Sequence, residues 1–336
     1  MRAAPTIVRV KPPALKPGDT VGVIAPASNI KRDLVEAGLN QLRAMGYRTL
    51  VLPSIFDEDL YFAGSVERRT RELEEMFARP EVRAVVCARG GYGTNYLLEE
   101  IDLERLRSHP KIFVGYSDVT TLLTYFADAL GVVTFHGPMV AKDFAHPGGV
   151  HLPSWEAALG GSAGWSADTS STLKVLVEGS AEGILYGGCL SMLVASIGTP
   201  YEIHTDGTIL FLEDVGVKPF QIDRMLMQLK LSGKLQGVRG IVFGEMLDCM
   251  QTKDQPYSLE EVILRVVGDL GVPVACGLRS GHVSRENVTL PIGVGAAFEA
   301  GEDGVRLRIL EASTAAGEAA LTTRGVQNLD RAARRK

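Results

Sequence analysis

Lys111-Ile112-Phe113-Val114-Gly115-Tyr116-Ser117-Asp118-Val119-Thr120 is an apolar run that ends in a small polar residue just where a helical pattern, Asp118 to Leu130, begins. A short buried strand running directly into a helix is one half of a strand–helix–strand crossover. The pattern repeats upstream, where Thr20 to Ala25, Arg48 to Leu52 and Val82 to Ala88 read as further buried strands. Between them Leu34, Leu39, Leu42 and Met45 recur at helical spacing before Gly46, and Leu73, Met76 and Phe77 mark a second amphipathic helix after Gly64-Ser65. The first half is therefore expected to be α/β, a parallel sheet with helices on both faces. In such sheets ligands bind in the loops beyond the carboxyl ends of the strands.

From about Ala145 to Ser171 the composition shifts to Gly, Ser, Ala, His and Pro, as in His146-Pro147-Gly148-Gly149 and Gly160-Gly161-Ser162-Ala163-Gly164. This reads as a linker. Beyond it, strands are expected at Leu173 to Val177, Thr208 to Glu213, Gly240 to Phe243 and Val305 to Leu310, with helices at Pro219 to Leu231 and Ser258 to Leu270. The expected division is an N-terminal domain over 1–145, a linker over 146–171, a smaller mixed α/β C-terminal domain over 172–312 and a tail over 313–336.

The chain has 336 residues, 46% hydrophobic and 22% charged, which suits two globular domains better than one. Net charge is −5 and the basic residues are dispersed apart from Arg331, Arg334, Arg335 and Lys336, so no nucleic-acid footprint is expected. Cys87, Cys189, Cys249 and Cys276 form no CxxC pair and read as reduced thiols rather than a zinc or disulfide framework. The N-terminus carries Arg2, Arg9 and Lys11, but Lys11, Pro12, Pro13, Lys16 and Pro17 leave no signal-peptide core, and no run of about 18 apolar residues occurs. A soluble cytoplasmic protein without membrane contact is the expectation. No histidine pair has metal-site spacing, so neither metal nor cofactor is expected.

Ser117 at the strand end could be a nucleophile, with helix amides and the helix dipole stabilising an oxyanion. It could equally be an ordinary helix N-cap. Val119 stands where the nucleophile elbow G-x-S-x-G needs its second glycine, so the ordinary α/β-hydrolase class does not fit. Ala88-Arg89-Gly90-Gly91-Tyr92-Gly93-Thr94-Asn95 follows another strand and suits an oxyanion or carboxylate loop at least as well as a dinucleotide loop, since Tyr96 replaces the last glycine of that fingerprint. In Thr208 to Gly216 an apolar strand places Glu213 and Asp214 at its end, either to orient a histidine or as a helix-capping or surface pair. A serine needs an imidazole base. His136 and His282 lie in glycine-containing loops after apolar runs and periodicity does not choose between them, whereas His109, His146, His151 and His204 lie in polar, turn-like settings.

Together these segments resemble the serine-dependent LD-carboxypeptidase family, the muramoyl-tetrapeptide carboxypeptidases and their relatives that give immunity to microcin C. The likeness runs from Val21 to about Ala300 and includes Val21-Gly22-Val23-Ile24-Ala25-Pro26-Ala27-Ser28, Arg89-Gly90-Gly91-Tyr92-Gly93, Gly115-Tyr116-Ser117-Asp118, His136-Gly137-Pro138-Met139, Gly187-Gly188-Cys189-Leu190-Ser191, Phe211-Leu212-Glu213-Asp214 and Gly281-His282 followed by Thr289-Leu290-Pro291. The resemblance implies a flavodoxin-like N-terminal domain carrying the nucleophile Ser117, and a C-terminal domain supplying Glu213 as orienting acid and His282 as base. It also implies an oxyanion hole from the Gly91 and Asp118 backbone amides, a homodimer, and removal of a terminal D-amino acid from an L-centre in a cytoplasmic murein tetrapeptide. One departure is Cys189, where relatives often carry Asn or another polar residue. The alternative within the same chemistry is an amidase acting on peptidyl or aminoacyl nucleotide conjugates, for which Trp155 and Trp165 could offer stacking platforms. A non-catalytic ligand-binding α/β protein is the reading from another class.

Overall fold

The structure, a computed structural model, describes residues 9–167, 173–250 and 256–316. Arg2, the basic run Arg331 to Lys336 and most of the expected tail lie outside them. In the first half β1 (Thr20–Ile24), β2 (Arg48–Val51), β3 (Val82–Cys87), β4 (Ile112–Gly115) and β5 (Thr134–His136) alternate with α1 (Arg32–Ala44), α2 (Val66–Ala78), α3 (Leu103–Arg107) and α4 (Thr120–Tyr125). The strands pair in parallel in the order β2-β1-β3-β4-β5, the flavodoxin-like order. Side chains alternate across the sheet. Val21, Val23, Ala84, Val86, Ile112 and Val114 pack on the α1 face, while Val85, Cys87 and Phe113 pack with Leu73, Met76 and Phe77 of α2 and Leu122 and Leu123 of α4 on the other. Ser65 caps α2 by accepting the Arg68 amide at 3.3 Å, as the Gly64-Ser65 pair suggests.

The stretch 146–171 carries α5 (Leu152–Gly160) and β6 (Trp165–Ser166); its last residues, from 168, lie outside the described ones. Trp155 of α5 is fully buried, donates its Nε1 proton to the Tyr47 hydroxyl at 3.3 Å and stands edge-on to Phe144 at 5.1 Å. A polar, glycine-rich margin on each side hides a short helix whose single indole anchors it.

The second half adds β7 (Lys174–Val177), β8 (Gly179–Cys189), α6 (Leu190–Ala195), β9 (Thr208–Glu213), α7 (Pro219–Leu231), β10 (Gly240–Gly244), α8 (Leu259–Val267), β11 (Val274–Leu278), β12 (Leu290–Ile292), β13 (Gly295–Gly301) and β14 (Gly304–Ile309). Eight strands form one mixed sheet in the order β6-β14-β13-β8-β9-β10-β11-β7, parallel from β8 to β11 and antiparallel on either flank. Helices α6, α7 and α8 cover one face. The other face, with Leu185, Ile209, Phe211 and Phe298, belongs to the same apolar cluster as the α1 face of the first sheet and Trp155. The two sheets thus share one core.

β12 departs from its neighbours and pairs antiparallel with β5 of the first sheet, Leu290 opposite His136. At the end of the described chain Ser313 and Thr314 are buried, and Ala315 exchanges hydrogen bonds with Pro12 and Ala14 at 2.8 and 3.0 Å. No described helix is long and apolar enough to cross a membrane.

Because Trp155 is the largest fully buried side chain of the shared core, Trp155→Ala is expected to cost about 3–5 kcal/mol, seen as a lower midpoint in urea unfolding. A midpoint equal to wild type would mean that α5 is not part of the core that joins the sheets.

Candidate active site

β4 ends at Gly115, Tyr116 continues in extended backbone, and Ser117 takes φ +63° before the turn Ser117–Val119 leads into α4. For a residue with a Cβ the left-handed region costs roughly 1–2 kcal/mol, so the surrounding packing must hold it there. Gly90 supplies part of that packing, because a Cβ at Gly90 would lie 2.8 Å from Ser117 Cβ; only glycine lets the loop after β3 close on the serine. Neither this turn nor α4 is capped by a side-chain hydrogen bond, so the Ser117 hydroxyl is not spent as the N-cap that the alternative reading requires.

Asp118 is buried and ties the two loops together: its Oδ2 accepts the Thr94 amide at 2.8 Å and its carbonyl accepts the Thr94 hydroxyl at 2.7 Å. The buried Arg69 guanidinium donates to the carbonyls of Pro26 and Gly93 at 2.8 and 2.7 Å, joining the loops after β1 and β3. Among the described hydrogen bonds, the Gly91 and Asp118 amides have no protein acceptor, so both N–H groups stay available beside Ser117.

From the other sheet, Glu213 ends β9 fully buried. Its Oε2 accepts the His282 amide at 3.0 Å and His282 Nδ1 at 2.8 Å, and its Oε1 lies 3.6 Å from His136 Nε2. Burial alone would raise this carboxyl; the two imidazoles outweigh it and hold the group down to about 2. Burial likewise pulls His282 down, but the hydrogen bond and charge of Glu213, with Asp214 and Asp143 beyond, raise it above the ordinary imidazole value. With its Nδ1 proton on Glu213, the neutral His282 ring presents Nε2 as an acceptor.

The histidine is brought to the serine side by Tyr116, the residue before Ser117, whose ring stands edge-on to His282 at 5.1 Å. Tyr116 donates its hydroxyl proton to buried Asp143 at 3.4 Å, whose carboxyl burial pushes up to about 6. Across the sheets the Cys189 amide donates to the Thr120 hydroxyl at 3.0 Å. Cys189 lies opposite Glu213 in the β8–β9 ladder, and burial beside Glu213 and Asp214 pushes its thiol up, keeping it neutral. Asp214 itself accepts the amide and hydroxyl of Ser191.

The N-terminal domain model of the LD-carboxypeptidase family matches residues 21–137, and its C-terminal domain model matches 182–298. The chain belongs to the LD-carboxypeptidase family. It is 40% identical to a probable murein peptide carboxypeptidase of Bacillus subtilis over 91% of this chain and 96% of that one. Against the microcin C7 self-immunity protein MccF of Escherichia coli it is 28% identical over 84% of this chain and 91% of that protein. The crystal structure of muramoyltetrapeptide carboxypeptidase from Oxalobacter formigenes superimposes with a TM-score of 0.75 at 28% identity, covering 87% of this chain and 99% of that one.

For this LD-carboxypeptidase family member, then, the fold brings Ser117, Asp118 and Gly91 together at the carboxyl edge of one sheet and Glu213 with His282 at the carboxyl edge of the other. His136 joins them through Glu213, so the histidines left open by the sequence share one carboxylate. His151 instead accepts the Ser154 amide at 3.2 Å at the start of α5, and His204 faces Asp128 at 3.4 Å. Trp155 is fully buried, which removes it as a nucleotide platform, and Trp165 packs partly buried against the same core. Residues missed by the sequence reading are Tyr116, Asp143 and Ser280, and a cluster of Tyr61, Phe62, Tyr92 and Tyr96 with ring centroids 4.4–6.1 Å apart bordering the Gly90–Gly93 loop. Among the described residues no three His, Cys, Asp or Glu side chains converge as a metal site.

Gly281 is a tight point of this arrangement. At φ +90° a Cβ there would lie 2.5 Å from Glu213 Cδ, and Asn287 pins the backbone by accepting the Gly281 amide and donating to its carbonyl, each at 3.0 Å. Gly281→Ala is expected to displace Glu213 and lower peptidase kcat/KM about a hundredfold while the far-ultraviolet circular dichroism stays native. A variant with wild-type turnover would show that the Glu213 position does not matter to the chemistry.

Proposed function

We propose that the protein is a serine-type LD-carboxypeptidase that removes the terminal D-amino acid from a murein tetrapeptide, cutting after an L-centre such as diaminopimelate or lysine. The observation that carries the reading is the Ser117 hydroxyl on a left-handed turn, not used as a cap, next in the chain to Tyr116, whose ring stands against an imidazole with its Nδ1 bound by a buried carboxylate at 2.8 Å. In the proposed sequence, His282 Nε2 takes the Ser117 proton as Oγ attacks the peptide carbonyl carbon. The carbonyl oxygen, now an oxyanion, accepts the Gly91 and Asp118 N–H groups. Collapse breaks the C–N bond, and the proton on His282 passes to the departing amine of the D-amino acid. Water, deprotonated by the same imidazole, then attacks the ester on Ser117 and returns the serine. Glu213 keeps the ring in the tautomer that has Nε2 free and offsets the imidazolium charge.

The murein substrate is supported over the nucleotide conjugate by the 40% identity to a probable murein peptide carboxypeptidase, against 28% to MccF, and by the burial of Trp155. Ser117→Ala is expected to lower D-alanine release from a tetrapeptide ending in diaminopimelate–D-alanine by at least about ten-thousand-fold, followed by mass spectrometry. Release by folded Ser117→Ala at the wild-type rate would sink the serine mechanism, whereas folded wild-type protein that cleaves only an aminoacyl sulfamoyl nucleoside would move the assignment to the conjugate amidase.

The pH profile follows in sign. The base acts only when unprotonated, and His282 is raised above its ordinary value, so kcat/KM should climb with pH through a limb above about 6.5. A profile flat from pH 5 to 9 would exclude His282 as the base.

A further inference from the structure

His136 has a hydrogen-bonding environment that fixes where its protons are. The ring is fully buried, its backbone paired with Gly115 on one side and Leu290 on the other. The Ser280 hydroxyl has one proton and donates it to the Val288 carbonyl at 2.8 Å. Toward His136 Nδ1, 3.0 Å away, the same oxygen can therefore only accept, which places a proton on Nδ1. The remaining nitrogen, Nε2, faces Glu213 Oε1 at 3.6 Å. Both atoms are buried and neither has a hydrogen-bond partner.

If Nε2 were bare, its lone pair would point at a buried carboxylate. A proton there replaces that repulsion with an N–H aimed at Oε1 in a region where charges are poorly screened. We propose that His136 is a positioning residue of the catalytic site, an imidazolium that holds Glu213 through Nε2–H and neutralises its charge so that His282 is left unprotonated to act as base. This rests on Ser117, Glu213 and His282 being the reacting groups.

The surroundings leave His136 as the cation in this cluster. Glu213 comes from β9, Asp214 from the residue after it, Tyr116 from beyond β4 with its ring 5.9 Å away, Asp143 from behind Tyr116, Cys189 from the end of β8 as a neutral thiol, and His282 from the loop after β11. Phe211 closes the remaining side at 5.1 Å. In a net acidic pocket of this kind, a carboxylate with no second counter-ion would keep its proton partner charged. The positive charge on His136 opposes that, and its removal should drive His282 toward the protonated form.

The test is kcat/KM against pH for wild type, His136→Asn and His136→Gln. Asparagine can still reach Ser280 but not Glu213; glutamine can offer Glu213 an N–H without charge. In both variants the acid limb is expected to move up by about one pH unit, the order expected for losing a unit charge several ångströms away, so that activity on the wild-type limb falls about tenfold. The high-pH plateau should be better kept by glutamine. A limb that stays at the wild-type pH in folded His136→Asn overturns the proposal, even if activity drops, because a packing role lowers the plateau without moving the limb. Should the variants not fold, nitrogen-15 spectra of the wild-type histidine rings decide. Both His136 nitrogens, assigned through contacts to the Phe211 ring, are expected at protonated shifts where His282 is neutral, and a neutral Nδ1–H ring overturns the inference. Failure of the serine mechanism is a separate result, an active Ser117→Ala.

Discussion

A carboxylate charge buried without exposure is the constraint around which this molecule is arranged. Moving an ion of that size out of water costs several kcal/mol even after relaxation, and Glu213 sits at the end of a central strand where no water reaches it. The chain meets that cost with the His282 amide and ring, which donate to Oε2, and with the His136 ring, whose Nε2 lies 3.6 Å from Oε1. Each donor comes with requirements of its own. His282 needs a glycine before it so that the loop can pass against Glu213, and His136 needs Ser280 to fix its other nitrogen. The geometry of the site is thus the set of conditions under which that carboxylate can stay ionised.

The opposite side of the site is held by a different means. There the strained serine turn relies on loops after β1, β3 and β4 lying against one another, and two arginines of α2 lace them together. Arg69 bonds the carbonyls of Pro26 and Gly93, and Arg68 bonds those of Ser54 and Ala25 at 2.7 and 3.1 Å while pairing with Glu72 at 3.0 Å. Loop carbonyls that face inward would otherwise be left unpaired, at about 1–3 kcal/mol each. The buried cations of α2 therefore do for the backbone of the loops around Ser117 what the imidazoles do for Glu213. Burial drives the Glu72 carboxyl up to about 7, with Arg68 opposing the rise. The loops draw their rigidity from the arginines.

What could be read in the sequence follows the length and composition of each element. Pro219–Leu231 has its proline at the first helical turn and an apolar stripe of thirteen residues, and Thr208–Glu213 is an uninterrupted buried strand; both were legible to the residue. Gly179–Cys189 was not, because Gly183 and Gly187 break the β pattern where the backbone of β9 and the residue before it approaches closely, and Gly188 breaks it where the Thr120 side chain does. β5 and β12 have three residues each, too few to show a period, and β12 contains Pro291, which suits only an edge. The serine turn was legible because a strand and helix meet at Ser117. The second histidine was not, since its meaning depends on Glu213 and Ser280, more than seventy residues away in sequence.

The loop holding Gly281 and His282 begins at β11 in one sheet and ends at β12 in the other, where Leu290 pairs with His136 itself. Two units in contact usually move relative to one another unless the interface is large and apolar. Here the apolar core is common to both sheets, and a stretch of backbone from the second unit is hydrogen-bonded into the first. Separating the sheets would unzip β12 and, with it, pull the His282 loop from Glu213. Ser117 on one sheet and His282 on the other need not imply a hinge between them, because the strand exchange ties the two sheets together beside both residues.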